Sequence, residues 1–209
     1  MAAGINVDET TKQIIAELKK LPFPPGYGFE VGGELESRME SFGDLFQSLL
    51  IAMLAVFSVL VLQFRSFLQP FIIFTSIPLS FIGAIWGLFL SGYSFSFTAF
   101  LGAISLVGIV VNDAIILIDL INQYLKEGME KSEAITKATE HRFVPILLTS
   151  LTTIGGLLPL TLRGGLFWAP MGWCIIGGLT TSTLLTLLIV PVLYHFFTRG
   201  GKSPKKIAI

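Results

Sequence analysis

The sequence predicts an all-α integral membrane protein with five transmembrane helices and a short N-terminal α/β piece. Three observations carry this. Of 209 residues, 53% are hydrophobic and 13% charged, roughly half the charged share of a soluble domain. Five apolar stretches, at about 46–64, 67–90, 97–121, 143–162 and 167–197, each reach or exceed the ~20 residues that cross ~30 Å of hydrocarbon. The basic residues between these stretches fall almost entirely on one side.

The first 43 residues differ from the rest, with seven acids and four basic residues. Thr10–Leu21 places Ile14, Ile15, Leu18 and Leu21 at helical spacing before Pro22 stops it, and Gly26-Tyr-Gly-Phe-Glu-Val-Gly reads as a short strand. Some 40 residues cannot bury a core alone, so this reads as a fragment of a soluble α+β domain. The division is therefore 1–43 soluble piece, 44–198 membrane domain and 199–209 tail. The opening Met1-Ala-Ala-Gly-Ile-Asn-Val-Asp lacks the basic and apolar regions of a secretory signal.

Orientation follows from Lys and Arg in the short loops. Arg65 lies between spans one and two, Lys126, Lys131, Lys137 and Arg142 between three and four, and Arg199, Lys202, Lys205 and Lys206 after five. Arg163 stands alone on the other side, which places the C-terminus in the cytoplasm and the N-terminal piece outside. In the loop 124–142, Ser132 is positioned as the N-cap of an amphipathic helix through about Glu140, lying along the cytoplasmic face.

Chemistry is expected in the third span. Asn112-Asp113 sits in the middle of Phe97–Ile121, where a carboxylate costs several kcal/mol unless it faces protein or water. On an ideal helix Ser105, Gly108, Asn112 and Asp119 fall within about 60° of arc, and Asp113 lies about 100° from Asn112. Thr149, Thr152, Thr153 and Gly156 repeat a polar, lean face on the fourth span. The hydroxyls either serve a proton path or bond back to their own helix. Gly108, Gly155, Gly156, Gly177 and Gly178 are expected to admit close helix packing. Trp86, Trp168 and Trp173 fall near the outer helix ends, as an aromatic belt places them.

Other classes find no support. The net charge of zero lacks the basic footprint of a nucleic-acid binder. One cysteine, Cys174, excludes an internal disulfide, and His141 and His195 stand without companions for a metal. No phosphate loop or nucleophile elbow occurs, so neither catalytic residues nor a cofactor are expected, and any energy source is ionic.

Three long motifs, Gly108-Ile-Val-Val-Asn-Asp-Ala-Ile-Ile-Leu-Ile-Asp-Leu-Ile-Asn-Gln123, Arg142-Phe-Val-Pro-Ile-Leu-Leu-Thr-Ser-Leu-Thr-Thr-Ile-Gly-Gly-Leu-Leu-Pro159 and Gly178-Leu-Thr-Thr-Ser-Thr-Leu-Leu-Thr-Leu-Leu-Ile-Val-Pro-Val-Leu-Tyr194, stand in this order. Together they resemble the resistance-nodulation-division (RND) efflux permeases, most closely the hydrophobe/amphiphile multidrug branch. Leu62-Gln-Phe-Arg-Ser-Phe-Leu-Gln-Pro-Phe and Ile77-Pro-Leu-Ser-Phe-Ile-Gly-Ala resemble the family's links between later helices.

The resemblance implies the last five of twelve helices, preceded by the tail of a periplasmic porter subdomain, in the bacterial inner membrane. It implies proton/substrate antiport exporting amphiphilic compounds, with protons as the coupling ion and no enzymatic activity. The implied partners are the N-terminal half of the permease, two further copies of the complete protein in a homotrimer, a periplasmic adaptor, an outer-membrane channel and the lipid bilayer. Asn112 stands where the family often has a lysine, and Asp113 where it usually has Asn. Thr149 matches a family hydroxyl and Arg142 a basic residue at the cytoplasmic mouth. Asn112, Asp113, Thr149, Asp119 and Arg142 are thus the proton-coupling candidates. The alternatives are a non-transporting membrane scaffold or truncated fragment, in which Asn112-Asp113 serves only packing, and a lipid- or protein-export relative.

Overall fold

The computed structural model describes residues 34–198 together with 14 and 16–18, with side chains for 14, 16–18 and 42–198. The chain divides into two compact units, Met1–Ser48 and Leu49–Ile209. In the first, residues 14 and 16–18 are helical; the expected strand at 26–32 lies outside the described residues, as does the tail 199–209.

Six helices follow: α1 Glu34–Phe64, α2 Leu68–Phe74, α3 Ser76–Ser91, α4 Phe97–Lys126, α5 Lys131–Arg163 and α6 Gly165–Phe197. They form five helices long and apolar enough to cross a membrane, with α2 and α3 together making one, Leu68–Ser91. The joint between those two has a local cause. Pro78 lacks the N–H that would bond the Phe74 carbonyl, and its ring crowds that carbonyl. Hydroxyls take up carbonyls around the joint, with Thr75 Oγ1 donating to Ile72 O and Ser76 Oγ to Ile73 O, each at 2.6 Å.

The turns are built from residue types suited to them. Arg65, φ +49°, ends α1 in the left-handed region and is the one non-glycine residue there among those described. Gly92, φ +74°, closes α3: Tyr93 N–H reaches Leu88 O at 3.1 Å and Gly92 N–H reaches Phe89 O at 3.2 Å, the paired bonds of a left-handed helix stop. Ser96 caps α4 by accepting from Ala99 N–H at 3.3 Å.

The loop helix expected at 132–140 is not a separate element. Those residues are the first turns of the 33-residue helix α5, which continues through His141 and Arg142 into the span. Ser132 lies inside the first turn; the N-cap is Glu130, with no side-chain hydrogen bond. Charge hides the continuity from a hydropathy reading, but it does not interrupt the i to i−4 bonds.

Two apolar clusters fill the second unit. One gathers Ile72, Ile73, Leu117, Ile118, Ile121, Tyr124, Ala134, Ala138, Val190 and Tyr194. The other gathers Ala84, Leu88, Ala99, Ala103, Leu106, Val110, Cys174, Ile175 and Leu179. Lipid is as apolar as leucine, so helices are held here by close fit. Glycines provide it between α3 and α6: a Cβ on Gly177 would stand 2.5 Å from Gly83 O and 2.7 Å from Gly87 Cα.

Candidate functional site

α4 carries its polar groups on the side that this chain leaves open. Ser105, Gly108, Asn112 and Asp119 are exposed, and Asp113 is half-buried at the edge of that stripe. Ala103, Leu106, Val110, Ala114, Leu117 and Ile121 occupy the opposite, buried side. The stripe follows from helical periodicity, since positions three and four apart share a face.

α5 behaves likewise. Thr149, Thr152, Gly155 and Gly156 are exposed and Thr153 is half-buried. The Thr149 hydroxyl donates to Ile146 O at 2.9 Å, Thr152 to Leu148 O at 2.9 Å and Thr153 to Thr149 O at 2.8 Å. Each thus satisfies itself on its own helix. No hydrogen bond among the described residues joins Asn112, Asp113, Thr149, Asp119 and Arg142 to one another. The Arg142 Nε is buried without a hydrogen-bond partner among the described residues, as is the Thr186 hydroxyl.

The packing glycines divide into two groups. A Cβ at Gly108, Gly155 or Gly156 would meet nothing within 4 Å, because these glycines share the open faces of α4 and α5. Close approach within the chain occurs at Gly177, against Gly83 and Gly87, and at Gly178, against the Leu106 side chain. Gly102 against Met171 and Gly172 against Thr161 add to it.

A polar cluster at the α1–α2 turn has no counterpart in the residue-level reading. Gln69 and Asn122 pair through both amides: Gln69 Nε2 donates to Asn122 Oδ1 at 3.0 Å, and Asn122 Nδ2 to Gln69 Oε1 at 2.9 Å. The Tyr194 hydroxyl donates to Asn122 Oδ1 at 2.7 Å and accepts from Gln69 Nε2 at 3.4 Å. Helices α2, α4 and α6 are thereby tied at one level. The three residues lie inside the family-like motifs, but partners 53 to 125 positions apart cannot be matched by spacing alone. A second tie, Tyr124 hydroxyl to His141 Nδ1 at 2.7 Å, joins α4 to α5. A third, Ser150 to Thr183 at 2.6 Å between hydroxyls, joins α5 to α6.

Among the described residues no group of three or more His, Cys, Asp or Glu side chains gathers as a metal site. What the arrangement offers is two open polar helix faces and a buried guanidinium nitrogen without a partner among the described residues.

Comparison with known proteins adds the missing frame. Residues 2–198 match the AcrB/AcrD/AcrF family. Swarming motility protein SwrC of Bacillus subtilis (strain 168) is 40% identical over 202 residues, which is 95% of this chain and 19% of that protein. Multidrug resistance protein MdtC of Salmonella paratyphi C (strain RKS4594) is 32% identical over 203 residues, 95% of this chain and 20% of the relative. The crystal structure of a heavy metal efflux pump, crystal form II, superposes with a TM-score of 0.75 at 28% identity, covering 92% of this chain and 20% of the pump. The chain spans about one fifth of the length of the relatives it matches.

Proposed function

The chain belongs to the AcrB/AcrD/AcrF family of RND efflux permeases, and from that premise we propose that it is the C-terminal membrane portion of a proton-driven exporter of amphiphilic compounds. In this reading it is a multi-pass membrane protein of the transporter class and not an enzyme, which its family and its five long apolar helices support. The observation that carries the proposal is the exposed polar stripe of α4, Ser105, Asn112 and Asp119 with Asp113 beside it, in a helix otherwise fit for lipid.

Such a stripe is costly against hydrocarbon and is expected to be covered by protein or water. In their most apolar 18-residue stretches, the spans Phe42–Phe64 and Lys131–Arg163 have 6% and 11% of residues buried, against 50% for the other three. These faces suit an N-terminal half packing against them. In this reading that half supplies the principal acids, Asn112 and Asp113 form the facing wall, Thr149 rotates from Ile146 O to a water or carboxyl, and Arg142 sits toward the cytoplasmic mouth with Asp119. Alternating access then needs both halves moving against each other.

In the same reading the chain lies in the bacterial inner membrane with its N-terminal porter tail, residues 1–43, in the periplasm and its end in the cytoplasm. The complete permease assembles as a homotrimer with a periplasmic adaptor and an outer-membrane channel. Amphiphiles are favoured by the resemblance to the multidrug branch and by the likeness to a multidrug resistance protein. A heavy-metal substrate is the competing reading, motivated by the pump that superposes on the chain.

The test is Asp113→Asn, reconstituted with the N-terminal half in vesicles carrying a pH gradient. Loss of gradient-driven dye export with unchanged melting temperature is the expected result. Unchanged export at unchanged stability removes Asp113 from coupling. Single cysteines at Ser94 and Ser132 are expected to label from opposite sides of the membrane; labelling from one side overturns the topology.

A further inference from the structure

A cavity of about 310 Å³ opens at the α1–α2 turn, lined by Gln63, Phe64, Gln69, Asp119, Asn122, Leu125 and Lys126. Its position is set by three span ends: α1 finishes at Phe64, the second span starts at Leu68, and α4 finishes at Lys126. Where such spans cross a bilayer, their ends stand at the level of the lipid head groups.

The lining is unusual for so apolar a chain, with one acid, one base and three amides around a single opening. The floor is fixed, since Gln69, Asn122 and Tyr194 hold one another. A donor count shows what the floor has left. Both Gln69 N–H groups are engaged, by Asn122 and Tyr194, whereas Asn122 Nδ2 has used one hydrogen and Gln69 Oε1 one lone pair. One donor and one acceptor therefore remain beside the Asp119 carboxylate and the Gln63 amide. Lys126 stands seven residues beyond Asp119, two turns and about 10 Å along the axis, at the C-terminal end of α4.

Asp119 and Lys126, both exposed and two turns apart on α4, select a ligand carrying a cation and an anion a few bonds apart. The volume is at the lower end of the ~300–1,000 Å³ of small-molecule sites, so a head group fits and a whole amphiphile does not. Beside the cavity, Val59, Leu62 and Phe67 are 60%, 78% and 75% exposed. These apolar side chains offer nothing to a soluble zwitterion and are the surface along which an acyl chain would lie.

We propose that this cavity binds the head group of phosphatidylethanolamine from the leaflet facing the basic loops. The ammonium lies against Asp119 and the amide acceptors, and the phosphate against Lys126. A choline head group has no N–H to give Asp119, and a glycerol head group has no cation, so the chemistry discriminates among common phospholipids.

The proposal is tested by native mass spectrometry of the purified chain with equal amounts of phosphatidylethanolamine, phosphatidylcholine and phosphatidylglycerol. The expected result is preferential retention of phosphatidylethanolamine, reduced about tenfold in Asp119→Asn and in Lys126→Gln, in line with loss of a charged hydrogen bond. Asp113→Asn, outside the cavity, should retain the preference. A variant that fails to fold is replaced by its partner, since either charge alone tests the pairing. Equal retention of the three lipids, or a preference that survives both charge removals, overturns the proposal. Displacement of the lipid by an equal concentration of free phosphoethanolamine also overturns it, by assigning the same chemistry to a soluble ligand. The readout is binding, so the result stands apart from that of the transport assay.

Discussion

Replacing Gly177 and Gly108 by alanine, one at a time, makes the same chemical change in two environments and should give opposite results. At Gly177 the new Cβ stands 2.5 Å from Gly83 O and 2.7 Å from Gly87 Cα, both backbone atoms of α3. Ordinary carbon contacts lie at ~3.5–4.0 Å, so α3 and α6 must separate by about 1 Å. No side-chain rotation can relieve a clash with backbone. Overpacking of this kind costs about 1–3 kcal/mol, against which alanine gains ~1 kcal/mol in helix propensity. Because the atoms that must move belong to a whole helix, the upper part of that range applies and a net loss of about 1–2 kcal/mol is expected. At Gly108 a Cβ meets nothing within 4 Å, so only the propensity gain remains, up to about 1 kcal/mol. Unfolding of the chain from dodecyl maltoside into dodecyl sulfate, followed by fluorescence of Trp86, Trp168 and Trp173, measures both. Equal stabilities of the two variants would refute the argument that the α3–α6 contact depends on these glycines.

Three further outcomes can be read in the same assay. Tyr194→Phe removes the 2.7 Å bond to Asn122 and should cost about 0.5–1.5 kcal/mol, while a double-mutant cycle with Gln69→Leu should show coupling above ~0.5 kcal/mol; additive losses would dissolve the cluster. Ser150→Ala removes the hydroxyl partner of Thr183 at 2.6 Å, with an expected loss near the ~0.6 kcal/mol typical between membrane helices; no change would mean Thr183 finds an equal partner on its own helix. Arg65→Val places a β-branched residue at φ +49° and should cost about 1–2 kcal/mol, whereas Arg65→Gly should not; equal behaviour would argue that the turn adopts another conformation.

The spans were legible because hydropathy and helical hydrogen bonding point to the same segments. Expected limits at 46–64, 97–121 and 167–197 meet helices or spans over Phe42–Phe64, Phe97–Lys126 and Gly165–Phe197. The largest discrepancy is at 131–142, where Lys131, Glu133, Lys137 and Glu140 make the segment read as a surface element. Hydropathy reports which solvent a helix suits, not where the helix stops, so a charged entry to a span is read as a separate helix. The joint at Thr75 escapes the sequence for the converse reason, since Pro78 sits in a long, mostly apolar run that reads as one span.

The polar face of α4 was legible residue by residue, but not what it packs against. Periodicity places Ser105, Gly108, Asn112 and Asp119 on one face, and the structure leaves that face open. It does not say what covers the face, because coverage depends on the partner surface. Glycines show the same limit: Gly108 and Gly177 look alike in sequence, yet one faces space and the other the backbone of α3. Gln69, Asn122 and Tyr194 were the hardest to find, as an amide or phenol near a span end is ordinary until its distant partners are known.

The two polar systems in this chain consequently answer different physical needs. The Gln69–Asn122–Tyr194 cluster joins three helices through internally paired groups, the arrangement that holds neighbouring elements at a fixed level. The stripe of Asn112, Asp113 and Asp119 has no such pairing among the described residues, and Thr149, Thr152 and Thr153 on α5 spend their hydroxyls on their own carbonyls. Paired groups resist motion between helices, whereas groups that can exchange a carbonyl for a water or a carboxyl permit it at small cost. In the proposed reading, a coupling element must do the second while the bundle behind it does the first. The glycine-packed contact of α3 with α6 and the amide cluster supply that rigid backing, which is why loosening either should reduce stability, while Asp113→Asn should alter coupling and leave stability intact.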